Sequence, residues 1–325
     1  MQDEVTMTKI ISVYFNGTND RNDVPEKGRI SLATLLAHIT INDVNNYSFC
    51  VNGCGVESRD IRDLGVVFGF HLQKQVLKIA KEIKDIIDES EDDIVLNIYG
   101  FSRGGIAAFS LCKELKQIAP ERLTINVATV DPVPVNFIVS VCGDMFFGTK
   151  STLSAAVADL TTCNNIANML ALFANRPLPD IYGFAPLLPA LPTTCHSEID
   201  VTPGRHESAV SFYKEGNSVR ALNNESVLVC NRVIEFMKQW GTVYDFERLQ
   251  LDDILVCPSD SPQLLDLYEE LARQTVNDEV RSMHFSKTIF TTPGKYLNRY
   301  HQRLCNVQEE DIRGEDCALT IQNRN

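Results

Sequence analysis

The pentapeptide Gly100-Phe101-Ser102-Arg103-Gly104 is the stretch whose residue types and spacing point most directly to chemistry. In a G-x-S-x-G turn between a strand and a helix, the serine hydroxyl stands clear of the sheet, and small residues on either side let strand and helix approach each other. The main-chain N–H of the following residue, Arg103, then lies at a helix N-terminus, where it can stabilise an oxyanion. The pattern predicts that Ser102 is a nucleophile for acyl transfer.

The residues around the pentapeptide provide the context that such a turn requires. Residues 94–99 form an almost continuous apolar run, which is typical of a strand buried on both faces of a parallel sheet. Residues 106–118 follow as a helix-forming run. Because G-x-S-x-G also occurs by chance, it is this context that favours a nucleophile elbow over coincidence.

The partners of such a serine follow it in the chain order Ser, Asp or Glu, His. Asp131 comes directly after the next predicted strand, where catalytic groups of open α/β sheets lie; a solvated acidic turn is the alternative. His206 follows a Pro-Gly pair that predicts a turn, a position suited to a general base, and His196 is the second choice. His284 and His301 lie in the charged C-terminal part, and we expect them to face solvent.

A loop rich in turn-forming residues ends the first predicted strand, 9–15. If this strand lies beside the serine strand, the loop can supply the second N–H of an oxyanion hole, and Gly17 and Thr18 are the candidates. A plain surface turn is the alternative.

Strand and helix patterns alternate from residue 9 to residue 130, which predicts an α/β fold with a mostly parallel sheet flanked by helices. The predicted elements, beginning and ending with a strand, are 9–15, 31–39, 47–51, 70–88, 94–99, 106–118 and 123–130.

The alternation stops at 136–195, an apolar and proline-rich stretch. We expect either a helical cap or lid that lines an acyl pocket, or a helical excursion packed on the core. A helix at 226–240 is expected to complete a hydrolase domain spanning 1–245, leaving 246–325 as a small helical extension of unknown role.

Composition limits the class of protein. A chain of 325 residues, 44% hydrophobic and 22% charged, is long enough for one large α/β domain with a small appendage. The net charge of −13 argues against nucleic acid as a partner and leaves any membrane contact peripheral. A lipid substrate would have to be held by apolar contacts.

Ten cysteines lack the spacing of a disulfide scaffold or of a zinc site, so a reducing compartment is expected and no metal or organic cofactor is required. Neither a signal peptide nor an apolar run long enough to span a membrane is recognisable, which predicts a cytoplasmic protein. Secretion as an effector would leave no legible mark in the sequence.

The chain resembles the α/β-hydrolase catalytic domain of the type VI secretion phospholipase effectors, the Tle-like lipases. The resemblance covers roughly residues 8–215 and is carried by Phe15-Asn16-Gly17-Thr18-Asn19, Asn52-Gly53-Cys54-Gly55-Val56, Gly100-Phe101-Ser102-Arg103-Gly104-Gly105, Val130-Asp131-Pro132-Val133 and Arg205-His206-Glu207-Ser208-Ala209. Two positions depart from the family. Asn16 replaces an aspartate, and Gly105 replaces an alanine, a change that we expect to be sterically harmless. The resemblance implies phospholipase or acyl-ester activity.

The leading hypothesis is therefore a serine hydrolase of lipid or phospholipid acyl esters, with Ser102 as nucleophile, His206 as base and Asp131 as its orienting acid. Two alternatives stay open. One is a catalytically weak or inactive hydrolase scaffold that binds a protein partner through the lid or the C-terminal extension. The other is a related hydrolase such as a thioesterase or a peptidase.

Overall fold

The computed structural model describes residues 8–56, 70–133, 157, 159–176, 186–252 and 266. Its strands are β1 (Lys9–Phe15), β2 (Lys27–Ser31), β3 (Asn46–Val51), β4 (Ile94–Phe101), β5 (Leu123–Val130), β6 (Ile166–Arg176), β7 (His196–Arg205), β8 (Ser211–Glu215), β9 (Ser218–Ala221) and β10 (Gln250–Asp252). Its α-helices are α1 (Leu32–Ile39), α2 (Phe70–Asp88), α3 (Arg103–Leu115) and α4 (Asn224–Gln239).

Six strands form a sheet in the order β3-β1-β4-β5-β6-β7, and every neighbouring pair is parallel. Phe15 at the end of β1 pairs with Gly100 in β4, and Phe101 at the end of β4 pairs with Val130 at the end of β5. This register brings the loops that follow β1, β4 and β5 to one edge of the sheet. The predicted α/β fold with a mostly parallel sheet is confirmed.

Helices cover both faces of this sheet because the strand side chains alternate between two apolar clusters. Leu96 and Ile98 of β4 belong to the cluster that holds the apolar faces of α2 and α3. Tyr99 of the same strand belongs to the cluster that holds α1 and α4. The sheet is thus the middle layer of three.

A second sheet of four strands has the order β10-β9-β8-β2. Strand β8 pairs antiparallel with both β2 and β9, and β9 pairs parallel with β10. The sequence patterns did not predict this sheet, because its strands are only three to five residues long and do not show clear alternation.

The helical cap or helical excursion predicted at 136–195 is wrong at residues 166–176, whereas Val157 is helical. Residues 166–176 form β6, which pairs with β5 and β7 inside the main sheet. An apolar run of this length suits a strand buried on both faces as well as a helix, so its pattern did not distinguish the two. Residues 136–156, 158 and 177–185 of the predicted lid lie outside the described residues, as does most of the predicted C-terminal extension.

Among the described helices, none combines the length and the apolar character needed to cross a membrane.

Candidate active site

Ser102 occupies the sharp turn between β4 and α3, with φ 53° and ψ −119°. Close packing on both sides requires the glycines of the pentapeptide. A Cβ on Gly100 would lie 2.3 Å from the carbonyl oxygen of Gly104, and a Cβ on Gly104 would lie 2.3 Å from the carbonyl oxygen of Phe15. The predicted strand–turn–helix elbow is therefore present, and its backbone holds the serine in a conformation that non-glycine residues seldom adopt.

Asp131 is the first residue after β5 and is fully buried. Its backbone also adopts a positive φ, 46°, and its N–H donates to the carbonyl oxygen of Leu172 at 2.7 Å. Anchored in this way to β6, the carboxyl group lies at the carboxyl edge of the sheet, one strand away from Ser102. The alternative of a solvated acidic turn does not fit its burial.

His206 directly follows β7 and is 3% exposed. Its ring packs against the Phe101 ring with centroids 4.8 Å apart. The turn predicted just before it, at Pro203-Gly204, is wrong, because these residues lie within β7. Gly204 has a φ of 102°, and the pairing of β7 with β6 shifts register nearby, so the strand bends here instead of ending.

One hydrogen-bonded chain joins these three side chains. His206 Nε2 lies 2.9 Å from Ser102 Oγ, and His206 Nδ1 is hydrogen-bonded to Asp131 Oδ2. The second carboxylate oxygen of Asp131 accepts the N–H of Ala174 at 3.3 Å. A buried carboxylate on Nδ1 favours the tautomer whose Nε2 can accept a proton from the serine hydroxyl.

Among the described histidines that follow Ser102 in the chain, His196 does not lie beside Ser102. His196 begins β7, whereas His206 follows its last residue, so the two lie roughly 30 Å apart along the strand at about 3.3 Å per residue. His196 is exposed, and His284 and His301 lie outside the described residues. The first-choice histidine is the one that the fold brings to Ser102.

The loop after β1 lies against the N-terminus of α3, because Gly104 packs directly on the last carbonyl groups of β1. Thr18 borders the same cavity as Ser102 and Arg103, whereas Gly17 is wedged between Phe101 and Gly53. Among the described residues, no hydrogen bond involves the N–H of Thr18 or that of Gly17, so the contact with the cavity is what distinguishes the two. Thr18 is thus better placed than Gly17 to complete an oxyanion hole with Arg103.

The side chain of Asn16 holds the start of this loop in place through buried hydrogen bonds. It is buried, and its amide donates to the carbonyl oxygen of Val51 at 3.0 Å and to Thr34 Oγ1 at 3.0 Å. Its Oδ1 accepts from the hydroxyl groups of Ser31 and Thr34. An amide, with a donor and an acceptor on one head, matches these partners, and a carboxylate does not.

Gly105 is sterically required, which corrects the expectation that this position is indifferent to a methyl group. A Cβ on Gly105 would lie 2.6 Å from Pro132 Cβ and 3.1 Å from Pro132 Cα. Pro132 directly follows Asp131. The absence of a side chain at Gly105 in α3 therefore makes room for the loop that carries the buried Asp131.

A cavity of about 570 Å³ opens beside Ser102 and His206. Much of its described lining is polar or charged, and the apolar part comes from Pro25, Ile30, Phe101, Val133 and Val210. No residue of 136–195, from which we expected an apolar acyl pocket, is in the described lining of this cavity, and about half of that segment lies outside the described ranges.

Asp20 is a cavity residue that the sequence analysis did not select. Burial raises the pKa of its carboxyl group to about 6, the positive charge of Arg29 opposes this rise, and Glu207 adds to it. Asp20 lies in a loop rich in turn-forming residues, where an aspartate is expected to be solvated, so its sequence position did not indicate a buried carboxyl group. No group of three metal-binding side chains occurs among the described residues.

Comparison with known proteins leaves the family open. No family model and no curated protein matches the sequence. The crystal structure of an uncharacterized protein from Pseudomonas aeruginosa matches with a TM-score of 0.47 and 11% sequence identity, over 90% of this chain and 53% of that one. The chain therefore spans about half the length of that protein, and a likeness this distant carries no argument about activity.

Proposed function

We propose that this protein is a serine hydrolase that cleaves carboxylic esters through an acyl-enzyme on Ser102. The observation that carries the proposal is the continuous hydrogen-bonded chain from Ser102 Oγ through the His206 ring to the buried carboxylate of Asp131. A nucleophile, a base and a group that orients the base are the components of acyl transfer by serine.

In the first half-reaction, Ser102 Oγ attacks the ester carbonyl carbon while its proton passes to His206 Nε2. The carbonyl oxygen becomes an oxyanion, which in this proposal the N–H groups of Arg103 and Thr18 bind. Asp131 stabilises the imidazolium that forms. The intermediate collapses when the carbon–oxygen bond to the alcohol breaks and His206 returns the proton to the leaving alcohol oxygen.

In the second half-reaction, a water molecule gives a proton to His206 and attacks the acyl carbon. The ester bond to Ser102 breaks, its oxygen recovers the proton, and a carboxylic acid leaves. No step needs a metal ion or an organic cofactor.

A lipid or phospholipid acyl ester is the substrate class that we propose, on the resemblance to the type VI secretion phospholipase effectors. Cytoplasmic synthesis followed by secretion as an effector belongs to the same proposal. The polar lining of the described cavity adds a condition, because a long acyl chain would need an apolar surface beyond the residues described there.

A fluorophosphonate probe tests the proposal, because it labels only serines that a neighbouring base activates. We expect wild-type protein to be labelled, and Ser102→Ala and His206→Ala to lose the labelling. Ser110→Ala provides the matched control. Ser110 is a buried serine in α3, the helix that follows Ser102, and its hydroxyl donates to Gln73 Oε1.

Hydrolysis of 4-nitrophenyl esters with two-carbon to twelve-carbon acyl chains then separates esterase from lipase activity. Folded wild-type protein that neither reacts with the probe nor hydrolyses any ester would contradict the proposal. It would support the alternative of a scaffold that binds a protein partner.

A further inference from the structure

Among the residues that the structure describes, the buried cation of Arg103 has no counter-charge. It is 4% exposed, and its Nη1 donates to Cys54 Sγ at 3.5 Å. A thiol is a weak acceptor, and none of the ion pairs among the described residues involves Arg103. A buried guanidinium is costly unless it is paired and hydrogen-bonded, so this arrangement calls for a further partner.

The guanidinium of Arg103 shares its thiol neighbour, Cys54, with a residue that borders the cavity, Thr18. Cys54 Sγ lies 3.5 Å from Thr18 Oγ1 as well as 3.5 Å from Arg103 Nη1. Thr18 and Arg103 both border the cavity into which Ser102 opens. The charged group therefore lies between the nucleophile helix and the loop that supplies the second oxyanion donor.

Other charges at the cavity differ from Arg103 in exposure. Arg21, Arg29, Asp23 and Glu207 are exposed, and solvent screens exposed charges. Asp20 is half-buried, and the cation that lowers the pKa of its carboxyl group is Arg29, not Arg103. Arg29 also has an uncharged partner, since its Nη2 donates to Ser211 Oγ at 3.2 Å. Of the three arginines in the described lining of the cavity, Arg103 is the buried one, so its charge is the least screened.

We propose that the guanidinium of Arg103 binds an anionic group of the substrate, a carboxylate or a phosphate carried close to the ester that Ser102 attacks. The proposal rests on the proposed ester hydrolysis and narrows its substrate. The planar fork of an arginine matches both anions through paired N–H donors. An anion at this place accepts hydrogen bonds that the described residues leave unmade and balances a charge that folding has already removed from water.

Matched pairs of 4-nitrophenyl esters test the inference on the full chain. In one pair the acyl chain ends in a carboxylate or in its methyl ester, and in the other it ends in a phosphonate or in its dimethyl ester. We expect wild-type protein to prefer the charged member of at least one pair. Arg103→Gln should reduce that preference about tenfold to a hundredfold, mostly through KM, and Arg103→Lys should retain part of it.

Two control variants separate anion binding from bracing of the loop. Cys54→Ala removes the thiol partner but keeps the charge, so it should change hydrolysis of charged and neutral esters alike. Arg29→Gln removes an exposed cation at the same cavity and should change the preference by at most about threefold. Equal losses on charged and neutral esters in Arg103→Gln would overturn the inference.

A binding measurement makes the inference independent of catalysis. We expect inorganic phosphate or glutarate to raise the Tm of Ser102→Ala, and the added Arg103→Gln change to abolish this rise. If no ester is cleaved but the Arg103-dependent rise persists, the anion site stands and the proposed reaction fails. If esters are cleaved without preference for the charged members and neither anion raises the Tm, the anion site fails and the reaction stands.

Discussion

Asp131 contacts His206 with one carboxylate oxygen and accepts the N–H of Ala174, at 3.3 Å, with the other. The acid that orients the imidazole is thus itself oriented by the backbone of β6. This strand lies in the segment that the sequence predicted as a helical cap or as a helical excursion on the core, so a strand of the main sheet contacts the acid instead.

Asp131→Asn tests this orientation. An asparagine amide on Nδ1 favours the tautomer that protonates Nε2, which can no longer accept the serine proton. We expect kcat for ester hydrolysis to fall by about 10³- to 10⁴-fold, with KM much less affected. Unchanged fluorophosphonate labelling in this variant would show that the carboxylate does not orient the base.

Gly105→Ala should displace Asp131 through its neighbour Pro132. The new methyl group would lie 2.6 Å from Pro132 Cβ, and neither the ring nor the backbone there can turn away. We expect a loss of about 1–3 kcal/mol in the free energy of unfolding, measured in urea, and a lower kcat. Pro132→Gly removes the facing carbon, so the double variant should lose less stability than the two single changes added together.

Asn16→Asp should destabilise the protein because a carboxylate would replace the amide that donates to the Val51 carbonyl oxygen. We expect a loss of about 2 kcal/mol or more at neutral pH, since a buried charge would face an acceptor. Asn22→Asp is the matched control. Asn22 also donates its amide to a carbonyl oxygen, that of Cys50, but at an exposed site, and its loss should be well below 1 kcal/mol. Equal losses in the two variants would contradict this account of Asn16.

Asp20→Asn should change how stability depends on pH. Burial raises the pKa of the Asp20 carboxyl from 3.8 to about 6, so the folded protein holds this proton where the unfolded chain has released it. Stability therefore falls as the pH rises from about 4 to about 6. Relative to wild type, Asp20→Asn should gain about 1–3 kcal/mol above pH 6 and little below pH 4, measured by urea unfolding across this range.

Asp23→Asn serves as the reference, since Asp23 is an exposed acid at the same cavity. A pH-independent difference between Asp20→Asn and wild type would show that the cost of ionising Asp20 is not the source of the effect.

What the sequence by itself determined is local. An apolar run, a small–x–Ser–x–small turn and a helix-forming run specify the elbow at Ser102, because each depends only on nearby residues. The same holds for α1, whose predicted N-cap Ser31 accepts the N–H of Thr34, and for α2, whose amphipathic pattern extends over nineteen residues. Strong local patterns predicted the order of elements up to residue 130, except for the short strand β2.

Only the tertiary structure decided which distant residues meet. His196 and His206 are near each other in the sequence, and the direction of β7 alone carries one to Ser102 and the other to the far end of the sheet. The choice between Gly17 and Thr18 as oxyanion donor also depends on the tertiary structure. Gly17 packs against Phe101 and Gly53, whereas Thr18 borders the cavity, and no local pattern encodes this difference. The partners of Arg103 and the clash at Gly105 likewise depend on contacts between segments far apart in the chain. Such contacts arise from the pairing and packing of whole elements, so a pattern read along one segment does not contain them.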